Sequence, residues 1–154
     1  MKFKIFLDSN IFITGLGSTT GASADILRLI QSANLEVFTS KLVVDEVGRN
    51  LARKLPKYLP IYFKVLSETG INIYSNIRNI NTQISNWISK HSDVVIFSTA
   101  QKLKIDYFIT LNRKHFYQKE VKKLANFKII TPAEFLVIFR RKFFKNWFLG
   151  VFFV

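Results

Sequence analysis

The chain has 154 residues, 49% of them hydrophobic and 15% aromatic with sixteen Phe; that is enough for one buried core, too short for two ordinary domains, and excludes a disordered chain. Cys is absent, which excludes disulfide frameworks and thiolate metal sites and suits a reducing compartment, expected to be the cytoplasm. With 23 Lys plus Arg against 10 Asp plus Glu, the net charge of +13 favours a polyanionic partner: nucleic acid, an acidic protein or an anionic membrane.

The apolar run Phe3 to Leu7 predicts a buried strand, ended by the polar break Asp8-Ser9-Asn10. The run is too short for the apolar region of a signal peptide, so export is not expected. A Gly/Ser/Thr loop from Gly15 to Gly21 leads into a helix marked by Ile26, Leu27, Ile30 and Ala33. Val37 to Thr39 is a second strand, and Ser40 caps a helix carrying Leu42, Val43, Val47 and Leu51, which Pro56 ends. A helix from about Pro60 to Glu68 is closed by Gly70, and Ile71 to Tyr74 is strand. Two helices are expected next, Ile80 to Lys90 and Asp93 to Lys104, then a strand Tyr107 to Thr110. A basic helix near Tyr117 to Leu124, a strand Lys128 to Ile130 and a helix from Pro132 complete the alternation.

Strand and helix in alternation imply a three-layer α/β/α fold around a mainly parallel sheet of about four to five strands. Residues 1–140 are expected to form the domain and 141–154 an apolar extension. The final stretch FFKNWFLGVFFV is too short to span a bilayer, so no transmembrane anchor is expected; packing on the domain, on a second copy, or on a partner or membrane surface stays open.

In open parallel sheets, sites form beyond the carboxyl ends of the strands. Three acids are expected there. An ionised Asp8 directly after an apolar strand is awkward to desolvate unless it is paired or metal-bound, although an Asx turn would also account for it. Glu46 lies about 60° from the centre of its helix's buried stripe, while Asp45 points away. Asp93 opens a helix behind Ser92, where capping suffices to explain it, yet it aligns with Ile96, Phe97, Ala100 and Leu103 on the apolar face. Carboxylates gathered in so basic a protein call for a cation between them, here a divalent metal. In ITLNRKHF, Asn112 stands where a fourth acid would complete the ring; its amide oxygen ligates or orients water without adding charge. Arg113, Lys114 and His115 are candidate phosphate contacts, with Lys90, Lys119, Lys122 and Lys123 along the approach and Tyr117 available to stack on a base. Neither His91 nor His115 has a second His or Cys at ligand spacing, so both are expected to be ordinary hydrogen-bonding or surface histidines.

At these residues the chain resembles the PIN-domain family, whose commonest small members are VapC-type toxin ribonucleases. FLDSNIFITGL resembles the opening motif, VVDEVGRNL the motif of the second acid, SDVVIFSTAQKLKIDYFITLNRKHF the long motif with the third acid and the fourth position, and ITPAEFL the closing strand and helix. The resemblance implies an endoribonuclease dependent on Mg²⁺ or Mn²⁺. It makes Asp8, Glu46 and Asp93 metal ligands, Ser9, Asn10 and Thr110 supporting polar groups, and Asn112 a catalytic position in place of the frequent fourth Asp. It also implies RNA as substrate and allows an antitoxin partner and a homodimer. A PIN-like module that binds RNA or protein without cutting is the alternative, favoured by Asn112. The Gly15 to Gly21 loop has neither dinucleotide nor P-loop spacing, and Asn10 stands where a haloacid-type phosphatase needs a second Asp.

Overall fold

The computed structural model describes residues 2–144. The apolar runs form β1 (Phe3–Leu7), β2 (Leu35–Ser40), β3 (Asn72–Tyr74), β4 (Tyr107–Ile109) and β5 (Lys128–Ile130). They make one sheet in the order β3-β2-β1-β4-β5 with every pairing parallel. Hydrophobic residues on both faces of β1 require helices on both sides of it. Those helices are α1 (Ser9–Gly17), α2 (Ala22–Leu29), α3 (Lys41–Lys54), α4 (Leu59–Glu68), α5 (His91–Lys102), α6 (Arg113–Phe116), α7 (Lys119–Leu124) and α8 (Pro132–Phe143).

Because the strand order reverses on either side of β1, the carboxyl ends of β1 and β4 flank a switch point, where an α/β sheet opens a crevice. Local signals fix the helices around it. Ser40 accepts a hydrogen bond from Val43 N at 3.2 Å and caps α3. Thr131 and Glu134 form a reciprocal capping box at the start of α8, with Pro132 in the first turn. Behind the crevice, Phe108 stacks on Phe6 with ring centroids 5.2 Å apart and also meets Phe116 and Phe127 at 5.0 and 5.6 Å.

Three sequence expectations differ from the structure. The break after β1 is the start of α1, which consumes the first part of the expected Gly/Ser/Thr loop. The expected helix Ile80 to Lys90 is instead irregular chain around one 3-10 turn, Ile84–Asn86. The basic helix begins at Lys119, as α7, rather than near Tyr117, and a separate short helix, α6, precedes it. At the carboxyl terminus, α8 runs through Phe143, whose ring meets Phe3 at 5.4 Å. The expectations for the rest of the apolar tail, residues 145–154, fall outside the described residues. Among the described residues no helix is long and apolar enough to cross a membrane.

Gly15 marks the closest approach of α1 to α2. A Cβ there would lie 2.6 Å from Leu27 Cδ1 and 3.0 Å from the Ser23 carbonyl oxygen. Leu27 can turn aside but the carbonyl cannot, so Gly15→Ala is expected to cost roughly 1–3 kcal/mol. Denaturant unfolding measures it, and an unchanged midpoint would mean that the two helices separate freely.

Candidate active site

Asp8 is the residue at which β1 becomes α1. It is the N-cap of α1, only 3% exposed, and its carboxylate faces three donors. Ser9 N donates to Oδ1 at 2.8 Å, while Asn10 Nδ2 and Thr110 Oγ1 donate to Oδ2 at 2.9 and 2.6 Å. Thr110 follows β4, so this last bond ties the two central strand ends together across the switch point. Asn10 strengthens the tie by accepting from Leu111 N at 2.9 Å, and Thr110 Oγ1 accepts from Asn112 N at 3.0 Å. Of the three expected supporting residues, Asn10 and Thr110 act through their side chains, and Ser9 through its backbone N–H.

Asp93 reaches the same edge from α5. That helix begins at His91 with Lys90 as its N-cap, so Asp93 does not open it, contrary to the sequence reading; it is the third helical residue, and its side chain is buried on the sheet-facing side with Ile96, Phe97 and Ala100. Its Oδ2 accepts from Asn112 Nδ2 at 3.1 Å and lies against His115 Nδ1. Asn112 also caps α6, accepting from His115 N at 3.3 Å. His115, read from sequence as a phosphate contact, is therefore a partner of Asp93. Arg113 and Lys114 are exposed, and the described hydrogen bonds join neither side chain to the acids. The Tyr117 ring is faced by the Lys122 ammonium at 4.5 Å and the Arg113 guanidinium at 6.0 Å, and its hydroxyl donates to the Thr110 carbonyl. His91 is exposed at the start of α5.

Glu46 comes from α3, with its side chain 21% exposed while Asp45 is turned to solvent. Lys90 spans Glu46 and Asp93: its Nζ is 3.1 Å from Glu46 Oε1 and 3.5 Å from Asp93 Oδ1. Burial works against the Lys90 charge, but the two carboxylates outweigh it and raise its pKa. One ammonium thus joins two of the three acids.

The third acid feels the other two. Burial pushes the Asp8 carboxyl up to about 6; the Thr110 and Ser9 hydrogen bonds oppose this, and the charges of Asp93 and Glu46 add to it. A folded-state pKa above the ordinary 3.8 means that the native protein binds the extra proton. The resulting stabilisation is complete below about pH 4 and is lost as the pH rises through about 6, a swing of up to about 3 kcal/mol. In EDTA, the unfolding free energy of wild type should therefore fall between pH 5 and 7.5 by more than that of Asp8→Asn. Equal slopes in paired denaturant titrations would contradict the burial of an ionisable Asp8.

These donors suit a hard divalent cation: carboxylate oxygens, an amide oxygen within the same network, and a negative balance that already attracts an ammonium. Among the described residues no group of three or more His, Cys, Asp or Glu side chains is placed to hold a metal ion. Asp8 and Asp93 are each held by protein donors, and the Lys90 ammonium lies against the other Asp93 oxygen. A concavity of about 540 Å³ lies elsewhere, at the amino-terminal edge of β4 and β5 between Phe3, Asp106, Asn126 and Lys142, and contains none of these acids. The chemistry of the carboxyl edge outweighs that volume. A cavity of about 370 Å³ on that edge, between Thr14, Ser23, Leu111, Arg113 and Thr131, is lined by none of the three acids either.

Comparison with known proteins places this arrangement in a family. The uncharacterized protein MJ1680 of Methanocaldococcus jannaschii is 29% identical over 148 residues, covering 92% of this chain and 94% of that one. The fold is shared with VapBC2 of Rickettsia felis, solved bound to a promoter DNA fragment (TM-score 0.57, 15% identity, 84% of this chain and 98% of that one). It is also shared with FitAcB of Neisseria gonorrhoeae (0.57, 19%, 84% and 98%). A third likeness is to VapC20 of Mycobacterium tuberculosis, described as a toxin that cleaves the sarcin–ricin loop (0.51, 20%, 68% and 86%). The model of the PIN domain matches residues 5–124, a span that includes all three acids and Asn112, and the chain belongs to the PIN domain family.

Proposed function

We propose that this protein is a divalent-metal-dependent endoribonuclease, with Asp8, Glu46 and Asp93 holding Mg²⁺ or Mn²⁺ and Asn112 completing the site. The observation that carries the reading is the electrostatic cluster at the carboxyl edge: Lys90 bridges Glu46 and Asp93, and their charges reach the buried Asp8. Membership of a family whose members are generally nucleases supports it. A bound divalent ion supplies positive charge that acidifies an attacking water and offsets charge on the leaving oxygen of a phosphodiester.

The chain's own residues do the rest. Ser9 N, Asn10 and Thr110 hold the Asp8 carboxylate at a fixed angle by satisfying it on both oxygens. Asn112 and His115 orient Asp93 in the same way and leave its Oδ1 toward Lys90 and Glu46. The exposed Arg113 and Lys114 beside the acids attract the phosphate backbone, which the net charge of +13 draws in from a distance. The substrate is a cytoplasmic RNA, single-stranded or looped so that its backbone can enter the crevice. The likeness to VapBC, FitAcB and VapC20 structures supports a toxin role with an antitoxin partner, and a homodimer fits the same setting. Residues 1–140 form the catalytic unit, with the apolar segment 141–154 as its extension.

Incubation of purified protein with mixed RNA in Mn²⁺ or in EDTA tests this reading. Cleavage is expected only in Mn²⁺; with water attacking phosphorus and the 3′ oxygen leaving, the ends are 5′-phosphate and 3′-hydroxyl. Asn112, an amide where a carboxylate would add charge, favours one alternative, a module that binds RNA without cutting it. RNA binding that leaves every strand intact in Mn²⁺ would select that alternative.

A further inference from the structure

Lys90 is the one basic side chain among the described residues that touches two of the clustered acids, and these come from different helices. Its backbone is fixed. As N-cap of α5 its carbonyl accepts from Asp93 N at 3.0 Å and from Val94 N at 3.2 Å, so it is locked to the turn that carries Asp93. Its side chain is not, with 49% of it exposed against 5% for Asp93 and 21% for Glu46. Of the three groups, only the lysine can leave without unburying an acid. His115 occupies the other oxygen of Asp93, so it does not compete for the Lys90 position.

We propose that Lys90 is an exchangeable counter-cation that holds Glu46 and Asp93 together and competes with the divalent metal for their oxygens. The inference rests on the metal reading of the site. An incoming ion must displace the ammonium from both carboxylates, so Lys90 weakens metal binding and excludes ions of low charge density. Once displaced, a flexible ammonium at the rim of the site stands beside the bound phosphodiester and pairs with its phosphate. The same charge that protects the carboxylates then serves the substrate.

Mn²⁺ titration of the full chain, followed by electron paramagnetic resonance in the absence of RNA, separates the possibilities. Lys90→Ala and Lys90→Gln are expected to bind Mn²⁺ roughly tenfold more tightly than wild type, because the competing pairs are partly buried. Lys90→Arg should stay near wild type. Lys119→Ala removes the same formal charge from an exposed residue at the start of α7 and should change affinity less than twofold. Circular dichroism checks that the variants are folded, and the Gln variant keeps much of the side chain's packing. Unchanged or weaker binding by both Lys90→Ala and Lys90→Gln overturns the proposal, as does an equal tightening in Lys119→Ala. Failure of the metal reading looks different: wild type would bind Mn²⁺ no better than Asp8→Ala.

Discussion

Asp8→Ala is expected to lower Mn²⁺-dependent RNA cleavage by about 10²–10³-fold, the loss typical of removing a group aimed at charge in the transition state. Asp8 is the acid whose placement costs most: it is 3% exposed, its pKa is lifted to about 6 by burial, and three donors hold it. A carboxylate in that state is stabilised by a cation, and a cation there is stabilised by it. Asp8→Asn should lose nearly as much activity, since it keeps the shape and removes the charge. Asp45→Ala, next to Glu46 but turned to solvent, should stay within twofold of wild type. Single-turnover cleavage of a defined RNA measures all three, and an Asp8→Ala rate within tenfold of wild type would remove Asp8 from the chemistry.

Phe108→Ala carries the largest expected stability change, a loss of about 3–5 kcal/mol. Phe108 is fully buried in the short central strand β4, stacked on Phe6 at 5.2 Å with an interplanar angle of 8°. It also meets Phe116 and Phe127, which in turn pack on Phe97. Truncation removes the ring that joins β4 to Phe6 of β1, Phe116 of α6 and Phe127 before β5, and the surrounding rings cannot all collapse into the space. The site should feel it too, because Thr110 lies two residues beyond Phe108 and His115 adjoins Phe116. Urea unfolding in EDTA gives the stability change; Phe108→Leu should recover much of it. A loss below 1 kcal/mol for the Ala variant would mean that the aromatic cluster is loosely packed.

The alternation of apolar strands with capped helices was legible because each signal was local. The Ser40 cap, the Pro132 start and the Lys128–Ile130 strand lie where the residues suggest. Two errors have specific physical causes. Asp8-Ser9-Asn10 resembles a turn, and Gly15 and Gly17 lower helix propensity, yet Asp8 caps a helix whose Ile11, Phe12 and Gly15 are buried against the core. Ile80, Ile84 and Ile88 repeat at helical spacing, but side chains in this stretch compete for the backbone. Asn81 N donates to Ser98 Oγ and Gln83 N to Asn81 Oδ1, which leaves only a 3-10 turn to bury Ile84 and Ile88.

At the site, helical periodicity correctly indicated that Asp93 faces inward, and it separated the half-buried Glu46 from the exposed Asp45. Pairings across the fold were not legible. The Thr110 hydroxyl on Asp8 spans 102 positions and the Lys90 bridge to Glu46 spans 44, and no local pattern encodes which donor meets which acid. The partner of His115 was hidden for the same reason: its neighbours Arg113 and Lys114 suggested phosphate, and only the turn capped by Asn112 delivers it to Asp93.

A single ion shared by Asp8 between β1 and α1, Glu46 of α3 and Asp93 of α5 is the central requirement. A crystal soaked in Mn²⁺, with an anomalous difference map phased from the refined protein, tests that directly. A peak about 2.0–2.3 Å from oxygens of Asp8, Glu46 and Asp93, with the Lys90 ammonium moved out to solvent, is the predicted result. Absence of a peak between these three residues at saturating Mn²⁺, or a peak held by other groups with Lys90 still bridging Glu46 and Asp93, would contradict it.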